Sequence, residues 1–219
     1  MVSRFRDRTD AGRVLATNLS AYANHPDLRV LGLPRGGLPV AIEVATALHA
    51  PLDVFVVRKL GLPGQEELAM GAIATGGLRV LNDELVENLN IPKSVIDSVS
   101  RAELQELERR EHLYRGERPA LGVCGCTVIL VDDGLATGST MRAAVLALRQ
   151  RQPARIVVAV PVAPLKTFVE FRTVADEIIC VLTPEYFDAV GSWYDDFSQT
   201  TDEEVRNLLQ LAANQVFAA

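Results

Sequence analysis

Asp132 and Asp133 stand side by side at the end of an apolar run, and they are followed by Gly134, Leu135, Ala136, Thr137, Gly138, Ser139 and Thr140. The whole stretch reads VILVDDGLATGSTM, and each part of it suits one ligand type, a phosphorylated sugar with vicinal hydroxyls. A carboxylate can accept two hydroxyl hydrogen bonds, and such charge-assisted bonds are about twice as strong as neutral ones, so the acidic pair suits a ribose diol. Gly134 and Gly138 permit positive φ and close backbone approach, which lets successive N–H groups converge on an anion at a helix start. Thr137, Ser139 and Thr140 add hydroxyl donors. Two other readings exist. One is an ordinary strand-to-helix turn with aspartate as its cap. The other is a nucleotide P-loop, which needs a lysine where this chain has Ser139 after Gly138.

A second set of residues could bind an anion. Pro34-Arg35-Gly36-Gly37 also falls between an apolar run and a helical pattern; paired glycines let amides crowd an oxygen anion, and Arg35 supplies a fork of donors. Arg58-Lys59 are adjacent cations at the exit of another apolar run, readable equally as a solvated strand end. A third concentration is aromatic: Tyr186, Phe187, Trp193, Tyr194 and Phe197 crowd one segment of a chain that is only 5% aromatic, either as core sealing a sheet edge or as a platform for a ring.

These residues need elements to hold them. Val128–Val131 are apolar without alternation, as in a strand buried on both faces, and Ala144, Val145 and Leu148 have helical spacing from Met141 onward. A strand therefore hands directly to a helix, and ligands of open parallel sheets sit beyond the carboxyl ends of such strands. Upstream, Asp7 to Asp10 offer caps for a helix through Ala11, Val14, Leu15 and Leu19, expected on the sheet edge. Leu28–Leu33 reads as a strand, Gly37–His49 as a helix and Asp53–Val57 as a second strand, a parallel crossover unit. Lys59–Ala69, with Gly61, Pro63 and Gly64, reads as a long loop. Gly71–Thr75 and Leu78–Leu81 flank Gly76-Gly77 as a hairpin. Lys93–Arg115 reads as a solvated helix with Glu106–Arg110 and Glu111–Arg115 at i,i+4 spacing. Strand Arg155–Val160, helix Leu165–Arg172 and strand Ile178–Leu182 complete an α/β pattern with a doubly wound, mainly parallel sheet flanked by helices. Thr201-Asp202-Glu203-Glu204 forms a capping box before a terminal helix.

Composition sets bounds. A chain of 219 residues with 48% hydrophobic content fills one core and is short for two full domains. The division that follows is a core over residues 1–182, with a charged helical insertion near 83–118, and a C-terminal segment over 183–219. The net charge of −6 is spread along the chain, so no nucleic-acid partner is expected. Three cysteines, Cys124, Cys126 and Cys180, are an odd number for a disulfide framework and read as buried or half-buried thiols in a reducing cytoplasm. The opening MVSRFRDRTDAG has no apolar core of signal-peptide length and no run approaches the length of a membrane span, so no membrane partner is expected either.

At Asp132, Asp133, Thr137, Gly138, Ser139 and Thr140 the chain resembles the type I phosphoribosyltransferases, whose signature is a hydrophobic strand, two acids and a loop ending in Thr-Gly-x-Thr or a close variant. The opening FRDRTDAGRVLA, the segment VVRKLGLPGQEELAMGAIA and the tail VGSWYDDFSQTTDEEV resemble a bacterial branch of that family, so the likeness covers nearly the full length. The resemblance implies the type I phosphoribosyltransferase fold with a C-terminal hood, and transfer of 5-phosphoribose from 5-phosphoribosyl-1-pyrophosphate (PRPP) to a nitrogenous base or similar acceptor, with release of pyrophosphate. It implies that Asp132 and Asp133 hold the ribose hydroxyls and that Gly134–Thr140 hold the 5'-phosphate. Pro34, Arg35, Gly36 and Gly37 would hold pyrophosphate, with a non-proline cis bond before Arg35. Arg58 and Lys59 would belong to a flexible lid that excludes water, the competing nucleophile.

Catalysis then falls to Arg35, Arg58 and Lys59, which stabilise the leaving group by positioned electrostatics together with magnesium. Magnesium prefers oxygen ligands and keeps several waters, so PRPP would hold most of it, with Asp132 or Asp133 acting through water. Enzymes for 6-oxopurines carry a loop aspartate that exchanges a proton with the base; Ala136 stands there, as in the adenine and uracil branches. Glu66 or Glu67 could supply a carboxylate instead, although solvated acids are common at such positions. In the hood, Val190, Trp193 and Tyr194 would stack on the acceptor, and Asp188 and Asp195 would read its polar edge. A PRPP-binding regulator without transfer activity and a PRPP or sugar-phosphate hydrolase are the alternative functions. Related enzymes are often homodimers.

Overall fold

The computed structural model describes residues 4–216; within that range the side chains of Glu66, Glu67, Gln215 and Val216 are outside the description. The strands are β1 (Leu28–Gly32), β2 (Leu52–Val54), β3 (Val57–Leu62), β4 (Gln65–Ala74), β5 (Leu78–Leu81), β6 (Thr127–Val131), β7 (Arg155–Val162) and β8 (Glu177–Leu182). The helices are α1 (Arg8–Asn18), α2 (Gly37–Leu48), α3 (Asp83–Asn88), α4 (Lys93–Arg115), α5 (Ser139–Arg149), α6 (Leu165–Phe171) and α7 (Asp202–Val216). Five strands form a parallel sheet in the order β2-β1-β6-β7-β8, and β3-β4-β5 form a separate antiparallel sheet.

The unbroken apolar run of β6 has the expected cause. Successive strand side chains point to opposite faces. Val128 and Leu130 enter a core with Met141, Val145 and Leu148 of α5 and Phe171 of α6, whereas Ile129 and Val131 enter a second core with Leu15 of α1 and Val40 and Val44 of α2. With helices on both faces neither set meets water, so Val128–Val131 include no polar residue. Truncating Leu130 to alanine in such a core costs about 2–5 kcal/mol.

Helix starts follow their sequence signals. The Asp7 side chain accepts from the Asp10 N–H at 2.7 Å and caps α1. At α7 the Glu204 N–H donates to Thr201 Oγ1 at 3.1 Å while the Thr201 N–H donates to Glu204 Oε2 at 2.6 Å, a closed capping box. Gly76 and Gly77 turn between β4 and β5 with φ of 79° and 73°, which side-chain-bearing residues adopt at a cost.

Four expectations are corrected. Asp53–Val57 is not one strand: β2 ends at Val54 in the parallel sheet and β3 begins at Val57 in the antiparallel one. Lys59–Ala69 is not a loop but most of the β3–β4 ribbon, turning at Pro63-Gly64, because Leu60 and Met70 are buried in a third core with Ile96 and Leu107 of α4 and Leu209 of α7. Gly61, Pro63 and Gly64 signalled a loop locally, and burial of the flanking apolar residues overrides that signal. Helix α1 lies across a face of the sheet rather than on its edge. Finally, α4 is not a solvated helix. Glu106–Arg110 and Glu111–Arg115 do pair, at 2.7 and 2.9 Å, but Arg115 is buried and also donates to Asp53 of β2 at 2.8 Å and to the carbonyl of Val54.

Candidate active site

Strand β1 leads into a helix on one face of the sheet and β6 into a helix on the other, so the adjacent carboxyl ends of β1 and β6 form a topological switch point, where ligands of doubly wound sheets bind. Both suspected anion-binding loops emerge there. Residues 33–37 connect β1 to α2, and the Pro34–Arg35 peptide is cis, as the resemblance implied. Gly36 and Gly37 are required by close approach. A Cβ on Gly36 would overlap the Asp133 carboxylate, and one on Gly37 would come within 2.7 Å of the Val131 carbonyl oxygen.

The loop after β6 is fixed at several points. Leu135 is buried and its N–H donates to the Val162 carbonyl at 2.9 Å, while Thr167 Oγ1 donates to the Ala136 carbonyl at 2.8 Å. Gly138 takes φ of 71° at the N-cap of α5, and a Cβ there would strike Phe171. Ala136, Thr137 and Ser139 are left exposed. The cleft beside them has a volume of about 290 Å³ and is lined by Lys59, Asp132, residues 134–141 and Val190.

The two aspartates are not equivalent. Asp132 lines the cleft, and its carboxyl is pushed well above the ordinary carboxylate range by desolvation first and by the Asp133 charge second. Asp133 accepts from Arg8 Nε at 2.8 Å, with side chains 11% and 15% exposed. Desolvation raises its carboxyl too, and Arg8 pulls it back. A cation in the cleft would relieve this repulsion, and Asp132 offers oxygen ligands of the kind magnesium prefers. Among the described residues there is no cluster of three or more His, Cys, Asp or Glu that could hold a metal ion.

The phosphoribosyl transferase domain family matches residues 4–191 of the chain. This protein belongs to that family. Relatives in two strains of Mycobacterium tuberculosis, each provisionally named a phosphoribosyl transferase, are 47% identical over 208 residues, covering 95% of this chain and 47% of theirs. The chain thus spans about half the length of the curated relatives it matches. The crystal structure of TT1426 from Thermus thermophilus is similar with a TM-score of 0.84 and 42% identity, covering 94% of this chain and 97% of that one.

In this phosphoribosyl transferase family member, the residues expected to act together fall in four places. Lys59, Asp132, Gly134–Thr140 and Val190 share one cleft, although Lys59 is carried by β3 of the other sheet. Arg35 is half-buried on the neighbouring loop, close enough that its charge, with that of Arg110, opposes the rise of the Tyr114 hydroxyl, which burial and its hydrogen bond to Asp202 push up to about 12. Arg58 is turned to α4, donating from Nε to Glu103 at 2.7 Å. Glu66 and Glu67 fall on the β4 backbone, and their side chains lie outside the described residues.

The aromatic segment is mostly internal. Tyr194 is buried between Phe5 and Phe197, with ring centroids 5.5 and 5.0 Å away, and its hydroxyl donates to the Asp133 carbonyl at 2.5 Å. Burial pushes that hydroxyl far up. It braces the acid pair and presents no free face to an acceptor, contrary to the stacking role expected for it. Trp193 stacks on Phe187 at 6.5 Å, and its Nε1 is buried without a hydrogen-bond partner among the described residues. Asp195 pairs with Arg4 at 3.6 Å, and Asp188 is exposed. Sequence reasoning missed Arg8, which lies 125 positions from Asp133, and Glu103, which lies 45 positions from Arg58. Arg8 was set apart only by its place in the family-like opening FRDRTDAGRVLA and Glu103 lies in none of the family-like segments, so nothing local marked either residue.

Proposed function

We propose that this protein transfers 5-phosphoribose from PRPP to a nitrogenous small-molecule acceptor, releasing pyrophosphate, in the cytoplasm. The observation that supports this most is the convergence of Asp132, the anion-binding loop and Lys59 on one cleft beside the Arg35-Gly36-Gly37 turn. The bond from the anomeric carbon to the pyrophosphate oxygen breaks, a bond from that carbon to the acceptor nitrogen forms, and the nitrogen loses its proton to solvent water. Asp132 holds the ribose hydroxyls, while amides and hydroxyls of residues 134–140 hold the 5'-phosphate. Lys59 and Arg35, with the amides of Gly36 and Gly37, receive the charge that accumulates on the leaving group. Magnesium, when bound with PRPP, supplies further neutralisation of the diphosphate. Ala136 offers no carboxylate at the loop position, so the acceptor is one that needs no loop acid to manage its proton.

The test is to incubate the protein with magnesium and PRPP, alone and with a panel of purines, pyrimidines and amines, and to follow pyrophosphate release. Release that depends on one acceptor supports transfer. Release without any acceptor identifies a hydrolase, and calorimetric binding of PRPP with no release identifies a regulator; either result overturns the proposal.

A further inference from the structure

We propose that Arg8 is a positioning residue of the PRPP site: it holds the Asp133 carboxylate against Gly36 and so fixes the acid pair relative to the neighbouring anion-binding turn. The inference rests on the PRPP reading above. Arg8 is not held by one contact. Its Nε donates to Asp133 Oδ2 at 2.8 Å, one terminal nitrogen donates to the Ser198 carbonyl at 2.7 Å, and its guanidinium carbon lies 3.9 Å from the centre of the Phe197 ring. Carbonyl, ring and carboxylate together fix the plane of the fork, which a lysine could not satisfy simultaneously.

Asp133 is gripped at both ends. Its carboxylate meets Arg8 and its backbone carbonyl meets the Tyr194 hydroxyl. Both partners belong to one clasp: the Phe5 N–H donates to the Trp193 carbonyl at 2.9 Å, the Asp195 N–H to the Phe5 carbonyl at 2.8 Å and the Asp196 N–H to the Arg6 carbonyl at 2.8 Å. The clasp joins the N-terminal segment to the segment carrying Val190, a wall of the cleft. The carboxylate it presents lies where a Cβ on Gly36 would be, and Arg8 Nε would be 3.2 Å from that same atom, so Arg8 and Asp133 together pack on the neighbouring anion-binding turn. Two adjacent carboxylates repel. By taking Asp133 into a charge-assisted bond, Arg8 offsets that repulsion and sets the spacing between the two loops that must grip one molecule.

The test measures magnesium-PRPP affinity by calorimetry for wild type, Arg8→Ala, Arg8→Lys, Asp133→Asn and the double variant Arg8→Ala/Asp133→Asn, with folding checked by urea denaturation. Binding by wild type tests the underlying reading by itself; its absence overturns that reading and this inference with it. Given wild-type binding, Arg8→Ala is expected to weaken PRPP about tenfold or more, the double variant no further than the worse single one, and Arg8→Lys to rescue only part of the loss. Arg6→Ala, which removes the neighbouring exposed pair with Asp10 in the same segment, is expected to leave affinity unchanged. Unchanged affinity in Arg8→Ala, additive losses in the double variant, or an equal loss in Arg6→Ala would overturn the inference. Should Arg8→Ala not fold, Arg8→Lys decides alone: an affinity within twofold of wild type refutes the positioning role.

Discussion

At Asp132 and Asp133, two neighbouring carboxylates have different partners, and that difference governs what their removal does. Asp132→Asn deletes the charge that faces the cleft, so PRPP affinity measured by calorimetry is expected to fall at least tenfold while urea stability stays level or rises, since the desolvated carboxylate repelling Asp133 is gone. An unchanged affinity would remove Asp132 from the ribose site. Gly36→Ala introduces a methyl group where the Asp133 carboxylate lies, and the expected outcome is loss of PRPP binding in a protein that still folds. The thiols make a separate case. Burial pushes Cys180 up to about 12, so its thiolate is scarce near neutrality and becomes appreciable only as pH rises towards that value, whereas Cys124 is exposed. Iodoacetamide at pH 8 is therefore expected to label Cys124 well before Cys180 in the native protein, read by peptide mass spectrometry; equal rates would contradict the burial of Cys180.

The ribbon of β3 and β4 is the element whose behaviour departs furthest from its sequence. Glycine and proline within Lys59–Ala69 have the composition of a mobile loop, but Leu60 and Met70 bury against α4, and the Arg58–Glu103 pair ties strand to helix at 2.7 Å. Lys59 thus reaches the cleft from a braced strand. Lys59→Ala is expected to lower kcat more than it weakens PRPP binding, because a charge aimed at the leaving group acts chiefly in the transition state; a loss confined to affinity would assign it to ground-state binding. Helix α4 shows the converse limit. Its i,i+4 pairs were legible from spacing, but burial of Arg115 against Asp53 was not, since their positions are 62 apart and no local pattern links them. Breaking a buried pair leaves an uncompensated charge, so Arg115→Ala is expected to destabilise the protein by about 3–5 kcal/mol, seen as a lower urea midpoint at unchanged slope. A loss under about 1 kcal/mol would instead be the signature of an exposed pair.

At the scale of the molecule, the order β2-β1-β6-β7-β8 creates the switch point and so brings residues 34–37 and 132–140 to adjacent sheet ends, although they are remote in sequence. The helices diverge to opposite faces there, leaving a gap that no connection crosses, and the small sheet closes one side of it with Lys59. Among the described residues no helix is long and apolar enough to cross a membrane. The sequence by itself determined the strand-to-helix junctions, the acid pair, both glycine-bearing loops and the caps of α1 and α7. Each of these is written in contiguous residues: an unbroken apolar run records burial on two faces, and a glycine records a backbone position with no room for Cβ. Only the tertiary structure decided that Arg8 occupies Asp133, that Arg58 turns to Glu103, that Tyr194 is a strut and that Lys59–Ala69 is a ribbon. Side-chain charge pairs and the burial of an ambiguous segment depend on which surfaces the packed elements present to each other, and contacts of that kind leave no periodicity along the chain.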